Sequence, residues 1–220
     1  MARTPTLRRL AILVAIGLLA GWLAACGGSG SSTTATLPSG CVQVAQPPPK
    51  HVKLMPPKAS VSPGERLKAV VDTSCGSFEI ALDSSQSPKT VSSFVYLVRK
   101  GVYQDTIFHR IVPGFVIQGG DPTGTGRGGP GYRVTEEPPA DIVYSEGVVA
   151  MAKAGNEPPG SSGSQFFVVT SDSSLPPDYA LLGKVTKGMD VVHAIEEVPA
   201  GPDERPVSPV VIDKITVSTK

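Results

Sequence analysis

Alternation between apolar and polar residues is the first pattern that the chain shows. Residues 67–72 and 77–82 predict two strands joined by a short Thr-Ser-Cys-Gly turn, and the second strand alternates from Phe78 to Leu82. A third strand is predicted at residues 211–217, and most of the remaining domain consists of short apolar runs between Gly, Pro, Asn and Ser. Many short strands indicate a mainly β fold, either a closed barrel or a sandwich.

Two short helices are predicted among these strands. Ser87 and Pro88 have the positions of an N-cap and a first-turn proline, apolar residues recur at helical spacing over residues 91–98, and Gly101 ends the helix. A second helix is predicted over residues 189–197. Long helices and helical bundles are excluded because 24 Gly and 22 Pro interrupt a chain of 220 residues.

The first 25 residues have the pattern of an export signal. Three Arg and no acidic residue precede an apolar run over residues 10–25, which is shorter than the roughly 20 residues of a spanning helix. The run ends in Leu-Ala-Ala-Cys at Cys26, which resembles the bacterial lipobox, where the Cys is diacylated and becomes the first mature residue. We therefore expect an extracytoplasmic protein that lipidated Cys26 anchors to the cell membrane. The alternative is an ordinary signal peptide with a chance Cys.

Residues 26–64 are predicted to form a tether. Gly, Pro, Ser and Thr make up 21 of these 39 residues and none is aromatic, so the first part should be flexible and the proline-rich part extended. All six Phe and five Tyr lie between Phe78 and Tyr179, which places the folded domain at residues 65–220, a length sufficient for one core.

Removal of the signal peptide changes the net charge of the chain, and lipidation of Cys26 changes the number of free Cys. Lys plus Arg falls from 20 to 17 while Asp plus Glu stays at 19, so the mature chain carries about −2 and has no electrostatic footprint for nucleic acid. With Cys26 lipidated, Cys41 and Cys75 remain, and an even pair outside the cytoplasm favours a disulfide. Two independent thiols are the alternative, because the sequence does not show whether the Cα atoms come within reach.

No motif in the sequence points to covalent, metal or nucleotide chemistry. The chain lacks a G-x-S-x-G elbow, and its three His have no metal-ligand spacing. The glycine loop (residues 124–129, GTGRGG) lacks the Lys-Ser/Thr of a P-loop, and by itself it predicts a flexible loop. We expect neither a cofactor nor a metal.

The run FHRIVPGFVIQGGD at residues 108–121 predicts a hairpin, with Pro and Gly in preferred turn positions. If the loop has three residues, Arg110 pairs with Gln118 and Val112 with Val116, and all four side chains lie on one face. Taken alone, such a face is more commonly solvated than functional.

Five segments carry a more specific signal. The chain resembles the cyclophilin family of peptidyl-prolyl cis/trans isomerases in FHRIVPGFVIQGGD, GTGRGGPGY, GVVAMAKAG, SGSQFFVVT and LLGKV, which follow in the family's order and cover roughly residues 69–217. The resemblance implies an eight-stranded antiparallel β-barrel closed by two α-helices, and X-Pro isomerisation without a cofactor. The arm with Cys41 and the turn with Cys75 look like secreted actinobacterial-type members, which strengthens the disulfide prediction.

The resemblance also implies roles for individual residues. Arg110 matches the catalytic arginine, and Gln118 and Gln165 match residues that bind the substrate backbone. The residue before proline is expected to contact Ala152, Lys153 and Ala154, and the proline pocket is expected to consist of Phe115, Val116, Phe167, Leu175 and Tyr179.

Four of these positions depart from common family residues. Val116 stands for Met, Lys153 for Asn and Tyr179 for His, and the usual Trp-Leu pair is replaced around Leu175 in a stretch one residue shorter. The Val substitution removes some pocket volume, whereas the contact at residue 153 is expected to run through the backbone.

The chemistry explains why an arginine beside an aromatic pocket points to catalysis. Rotation about X-Pro faces a barrier of roughly 18–20 kcal/mol, and a guanidinium can donate to the prolyl nitrogen once that nitrogen loses conjugation. The sequence thus predicts a monomeric isomerase acting on proline-containing segments of exported proteins. A non-catalytic proline-binding or chaperone module would not need Arg110, and a structural envelope lipoprotein would not need the pocket.

Overall fold

The fold is described from a computed structural model, which covers residues 36–58 and 60–219. The predicted signal peptide and Cys26 lie outside the described residues. Within these two ranges, no helix is long and apolar enough to cross a membrane.

Ten strands and two helices are assigned along the described residues. They are β1 (Leu67–Thr73), β2 (Gly76–Leu82), α1 (Pro88–Arg99), β3 (Thr106–Val112), β4 (Val116–Asp121), β5 (Val134–Thr135), β6 (Val148–Met151), β7 (Ser161–Ser162), β8 (Phe166–Val169), β9 (Leu181–Lys187), α2 (Met189–Glu196) and β10 (Val210–Thr219).

Eight of these strands close into an antiparallel barrel in the order β1-β10-β3-β4-β8-β6-β9-β2, while β5 and β7 pair as a separate two-stranded sheet. This confirms the expected eight-stranded barrel with two helices. The alternation that predicts the first hairpin has a direct cause, since Phe78, Ile80 and Leu82 are buried and pair with β1. The predicted turn keeps Gly76 at a φ of +112°, a conformation that favours glycine.

Helix α1 begins and ends where the sequence predicts, but its cap differs from the expected one. Ser87 is the N-cap residue and Pro88 starts the helix, yet the Ser87 side chain makes no capping hydrogen bond. The carboxylate of Glu136 instead accepts the free N–H groups of Lys89 (3.1 Å) and Thr90 (2.7 Å). A carboxylate is favourable at a helix N-terminus because the unpaired N–H groups carry partial positive charge.

The barrel core is a cluster of aromatic and aliphatic side chains. The ring of Phe166 makes T-shaped contacts with Phe94 of α1 and with Phe108 of β3, at centroid distances of 6.3 and 6.1 Å. From α2, Val192 and Ile195 are fully buried in the same cluster. The barrel strands and both helices therefore share one core.

Residues 36–58 differ from the predicted tether, and we refer to them as the N-terminal strap. Its backbone N–H groups at Val42, Lys50 and Leu54 donate to carbonyls of the barrel loops, at 2.8–2.9 Å. A disulfide joins Cys41 to Cys75 at the β1–β2 turn. Composition predicts a solvated linker because Pro, Gly and Ser dominate, but spaced apolar residues of the strap, including Leu54, pack against the core. The folded unit thus begins well before residue 65.

Candidate active site

The β3–β4 hairpin has the predicted register, with Arg110 opposite Gln118 and Val112 opposite Val116. Gly114 in the turn has a φ of +73°, which the predicted tight turn requires. The alternate residues of the hairpin, including Ile111, point into the barrel core, whereas Val112 and Val116 belong to a second apolar cluster. The predicted one-sided face therefore lies on the outside of the barrel wall.

A cavity of about 210 Å³ opens on this outer face. Nine residues line it, and all nine were predicted for the site: Arg110, Phe115, Val116, Gln118, Ala152, Lys153, Phe167, Leu175 and Tyr179. They come from the β3–β4 hairpin, the end of β6, β8 and the loop before β9, so distant parts of the sequence meet here. Its apolar walls include Phe115, Phe167 and Leu175, and its polar groups come from Arg110, Gln118 and Lys153.

A second cavity of about 500 Å³ adjoins the first, because Gln118, Ala152 and Lys153 line both. The other two predicted site residues, Ala154 and Gln165, line this larger space. The glycine loop forms one of its walls, and Val52 of the N-terminal strap also contributes. The two cavities form one groove that can hold residues on both sides of a bound side chain.

A line of hydrogen bonds orients the polar groups of the groove. Arg110 Nε donates to Glu204 Oε2 (2.5 Å) and Nη1 donates to Gln118 Oε1 (3.3 Å). Gln118 Nε2 in turn donates to Gln165 Oε1 (3.1 Å), and Gln165 Nε2 donates to two carbonyls of the glycine loop. The guanidinium has five N–H groups, so it can bind a ligand while these two bonds hold it.

The glycine loop is ordered around a buried carboxylate, so its interpretation as a flexible loop is wrong. Asp121 at the end of β4 is fully buried and accepts backbone N–H groups from Thr123, Gly126 and Gly128, at 2.7–3.0 Å. Burial alone would raise its pKa, but hydrogen bonds from Gly128, Thr123 and Gly126 hold the pKa of Asp121 below its usual value. A Cβ at residue 128 would lie 2.1 Å from an Asp121 oxygen. Glycine is therefore required there for a reason of packing.

Lys153 lines both cavities, but its charge is engaged elsewhere. The side chain is only 5% exposed, and Nζ lies 2.7 Å from Asp178 Oδ2 and donates to the carbonyl of Glu157 (3.0 Å). The ammonium also lies 5.8 Å from the ring of Tyr179. Lys153, which stands where many family members have Asn, thus stabilises the segment around Asp178 and Tyr179. Its ammonium is engaged in these contacts, so it is not a free cation in the pocket.

Tyr179 lines the pocket, and its ring packs against two other aromatic rings. Its ring is perpendicular to Phe167 at 5.3 Å and to Tyr144 at 6.1 Å. The Tyr144 hydroxyl donates to the carbonyl of Tyr179 (2.6 Å) and accepts its N–H (3.1 Å). Tyr144 was not predicted, and its role depends on a contact between residues 35 positions apart.

Two other residues of the site were missed by sequence reasoning. Val52 lies in the segment that composition assigns to a tether, and Glu204 is 94 residues from Arg110. No local pattern marks either one, because each depends on a partner that is distant in sequence. Only the folded chain brings them to the groove.

Comparison with known proteins agrees with this geometry. Residues 68–217 match the family model described as cyclophilin type peptidyl-prolyl cis-trans isomerase/CLD. The chain is 40% identical over 153 residues to peptidyl-prolyl cis-trans isomerase-like 1 of Gibberella zeae, which covers 67% of this chain and 93% of that protein. It is 39% identical over 176 residues to peptidyl-prolyl cis-trans isomerase B of Streptomyces anulatus, covering 71% and 99%.

Solved structures show the same relationship. A cyclophilin type peptidyl-prolyl cis-trans isomerase of Cryptosporidium parvum superimposes with a TM-score of 0.66 and 34% identity, over 70% of this chain and 99% of that one. A second crystal structure of that protein, obtained in the presence of the dipeptide Ala-Pro, superimposes with a TM-score of 0.65.

Proposed function

Because this chain belongs to the cyclophilin-type peptidyl-prolyl cis-trans isomerase family, we propose that Arg110 catalyses the isomerisation and that the 210 Å³ cavity holds the proline ring. The observation that carries this assignment is the position of one oriented guanidinium beside the apolar side chains of Phe115 and Phe167. A pocket that only bound proline would need the apolar walls and no fixed cation.

The mechanism follows from the electronic structure of the X-Pro bond. In the planar cis and trans states the nitrogen lone pair is delocalised into the carbonyl, and at the twisted state it becomes a hydrogen-bond acceptor. An N–H of Arg110 that reaches this nitrogen binds the twisted state more strongly than either planar state, which lowers the barrier. No proton is transferred and no covalent intermediate forms.

The remaining residues hold one side of the bond while the other side turns. Phe115, Phe167 and Leu175 grip the pyrrolidine ring through apolar contact, and Gln118 offers an amide to the backbone of the substrate. The residues that precede proline lie toward the larger cavity, beside Ala152. Fixing one side of a rotating bond converts binding energy into orientation.

The cellular setting of this activity is also a proposal. Lipidation of Cys26 anchors the mature protein outside the cytoplasm, where it acts as a monomer on proline-containing segments of exported proteins. The disulfide between Cys41 and Cys75 supports an oxidising compartment, since such bonds are rare in the cytosol. Uncatalysed X-Pro isomerisation is slow enough to limit folding, so the enzyme would accelerate the folding of exported chains that contain proline.

Isomerisation of a short proline peptide by the purified protein tests the catalytic assignment. We expect Arg110→Ala to lower kcat/KM by about 100-fold, because one preorganised donor to the transition state is lost. The matched control is Arg99→Ala, which removes an exposed arginine from the last turn of α1 and should leave the rate unchanged. An Arg110→Ala protein as active as the wild type would remove the catalytic role and favour a proline-binding module.

A further inference from the structure

The turn between α2 and β10 contains a residue in an unusual backbone conformation. Glu204 has a φ of +62°, in the left-handed region that favours glycine. The turn is closed at its base, since the N–H of Gly201 donates to the carbonyl of Arg205 (2.8 Å) and the N–H of Glu204 donates to that of Gly201 (2.9 Å). A residue other than glycine keeps a left-handed backbone conformation only where its surroundings hold it there, and such residues cluster at functional sites.

Glu204 contacts two consecutive residues of β3. Its Oε2 accepts the Nε–H of Arg110 at 2.5 Å, and its backbone carbonyl accepts the N–H of Ile111 at 2.8 Å. The carbonyl contact fixes the turn against the strand, and the carboxylate contact fixes the guanidinium against the turn. Glu204 is thus fixed to β3 by its backbone and holds the side chain of Arg110, which projects from the same strand.

The neighbouring residue connects this turn to the glycine loop. Arg205 Nη2 donates to the carbonyl of Gly124 in that loop. These hydrogen bonds, together with the backbone of the glycine loop and the peptide bond between Glu204 and Arg205, form a closed circuit that includes Arg110, Gln118 and Gln165. A closed circuit restrains each member from two sides, so the guanidinium is held at both its Nε and its Nη1 edge.

We propose that Glu204 is a positioning residue for Arg110, an inference that rests on the catalytic role proposed above. The carboxylate holds the Nε edge and Gln118 holds Nη1, while the guanidinium lines the pocket and has further N–H groups with which to bind the proline nitrogen. An arginine side chain has several freely rotating bonds, so an unheld guanidinium would spend little time in the productive orientation. Glu204 thus contributes to kcat without touching the substrate.

Replacing Glu204 by glycine separates positioning from a merely structural role. Glycine adopts the left-handed conformation without strain, so Glu204→Gly should keep or raise the melting temperature. The same change removes the carboxylate, so we expect kcat to fall about five- to tenfold with KM changed less than about twofold. If Glu204 served only the turn, activity and stability would change together.

A conservative variant and a charge control complete the set. Glu204→Gln keeps an oxygen that can accept from Nε, and it should recover most of the activity that Glu204→Gly loses. Glu137→Gln makes the same charge change at an exposed position and should behave as the wild type. Wild-type kcat in Glu204→Gly, or a loss of activity that follows a loss of melting temperature in both Glu204 variants, would overturn the proposal.

The failure of this inference can be told apart from failure of the proposed function by combining Glu204→Gly with Arg110→Ala. If Glu204 acts through Arg110, the double variant is no slower than Arg110→Ala alone. A fully active Arg110→Ala protein would reject the catalytic assignment itself, whereas an impaired Arg110→Ala with an unimpaired Glu204→Gly would reject only the positioning role. The Arg110 Nε–H NMR signal should exchange with water faster in Glu204→Gly than in the wild type.

Discussion

Arg110 differs from an ordinary surface arginine in how its guanidinium is restrained. The side chain is 33% exposed, yet it is bonded at two edges and its Cζ lies 6.0 Å from the centre of the Phe115 ring. Exposed ion pairs contribute little to stability because water screens them and side-chain entropy opposes them. The pair with Glu204 is thus better explained by the orientation it confers than by the stability it adds.

His193 is a residue whose titration should affect stability. Its ring lies between two carboxylates, with Nδ1 3.1 Å from Glu196 on its own helix and Nε2 2.8 Å from Glu146 in the loop before β6. The hydrogen bond with Glu196, and then that with Glu146, raises the pKa of His193 above its usual value, although burial opposes the shift. The folded protein therefore binds this proton more tightly than the unfolded chain does.

The sign of the pH dependence follows from this raised pKa. The stabilisation is fully present below the unfolded pKa of 6.5 and is lost as the pH rises through the folded value. We expect His193→Gln to lower the melting temperature at about pH 6 and to have little effect at about pH 9. Because the ring is 39% exposed, the effect should stay below about 1 kcal/mol. Equal losses at both pH values would show that the protonated ring contributes nothing.

At the scale of elements, the sequence predicts correctly those helices and strands whose limits depend on residues within the same segment. The β1–β2 hairpin, α1 and the β3–β4 hairpin begin and end within a residue or two of their predicted limits, because apolar spacing, Pro and Gly act locally. The predictions of a tether for the strap residues and of a flexible glycine loop are wrong, because the order of these two segments depends on other parts of the chain. Their order comes from carbonyls, a disulfide and the Asp121 carboxylate, all supplied by other elements.

The strap offers a quantitative test of its attachment. The disulfide closes a loop between residues separated by 34 positions. Replacing both Cys41 and Cys75 by Ser should lower the free energy of unfolding by about 3–4 kcal/mol, because the unfolded chain regains the entropy of that loop. Denaturant unfolding measures this change, and wild-type protein treated with a reductant serves as the matched control. Unchanged stability in both samples would mean that the backbone contacts of the strap suffice without the bond.

At the scale of the whole molecule, closure of the barrel produces the site. Strands β4 and β8 are neighbours in the sheet, and β8 also pairs with β6, so their outward side chains form one continuous face. Phe167 lies opposite both Gln118 and Ala150 in these ladders. The groove is therefore a property of strand order, and it lies outside the packed interior.

The membrane anchor is a prediction about the whole molecule, because it decides where the catalytic domain works. In a bacterial host with the lipoprotein pathway, the wild-type chain should incorporate labelled palmitate and sediment with membranes. Cys26→Ser should abolish the labelling, since the thiol that carries the thioether-linked anchor is lost and the Cys41–Cys75 pair is unaffected. The Cys41→Ser, Cys75→Ser protein is the control and should still be labelled. Palmitate labelling of the Cys26→Ser protein, or an unlabelled wild-type chain, would contradict the lipidation prediction.

The sequence by itself determined the β-rich class, the two short helices, the hairpin register and, through five ordered segments, the family and the residues that line the groove. These features depend on periodicity and on turn residues, which act over a few positions, or on motifs specific enough to mark a family. Only the tertiary structure decided that Glu204 restrains Arg110, that Asp121 orders the glycine loop and that the strap lines the groove. Each depends on a contact that strand pairing and loop closure create between polar groups, and no local pattern of residues records such a contact.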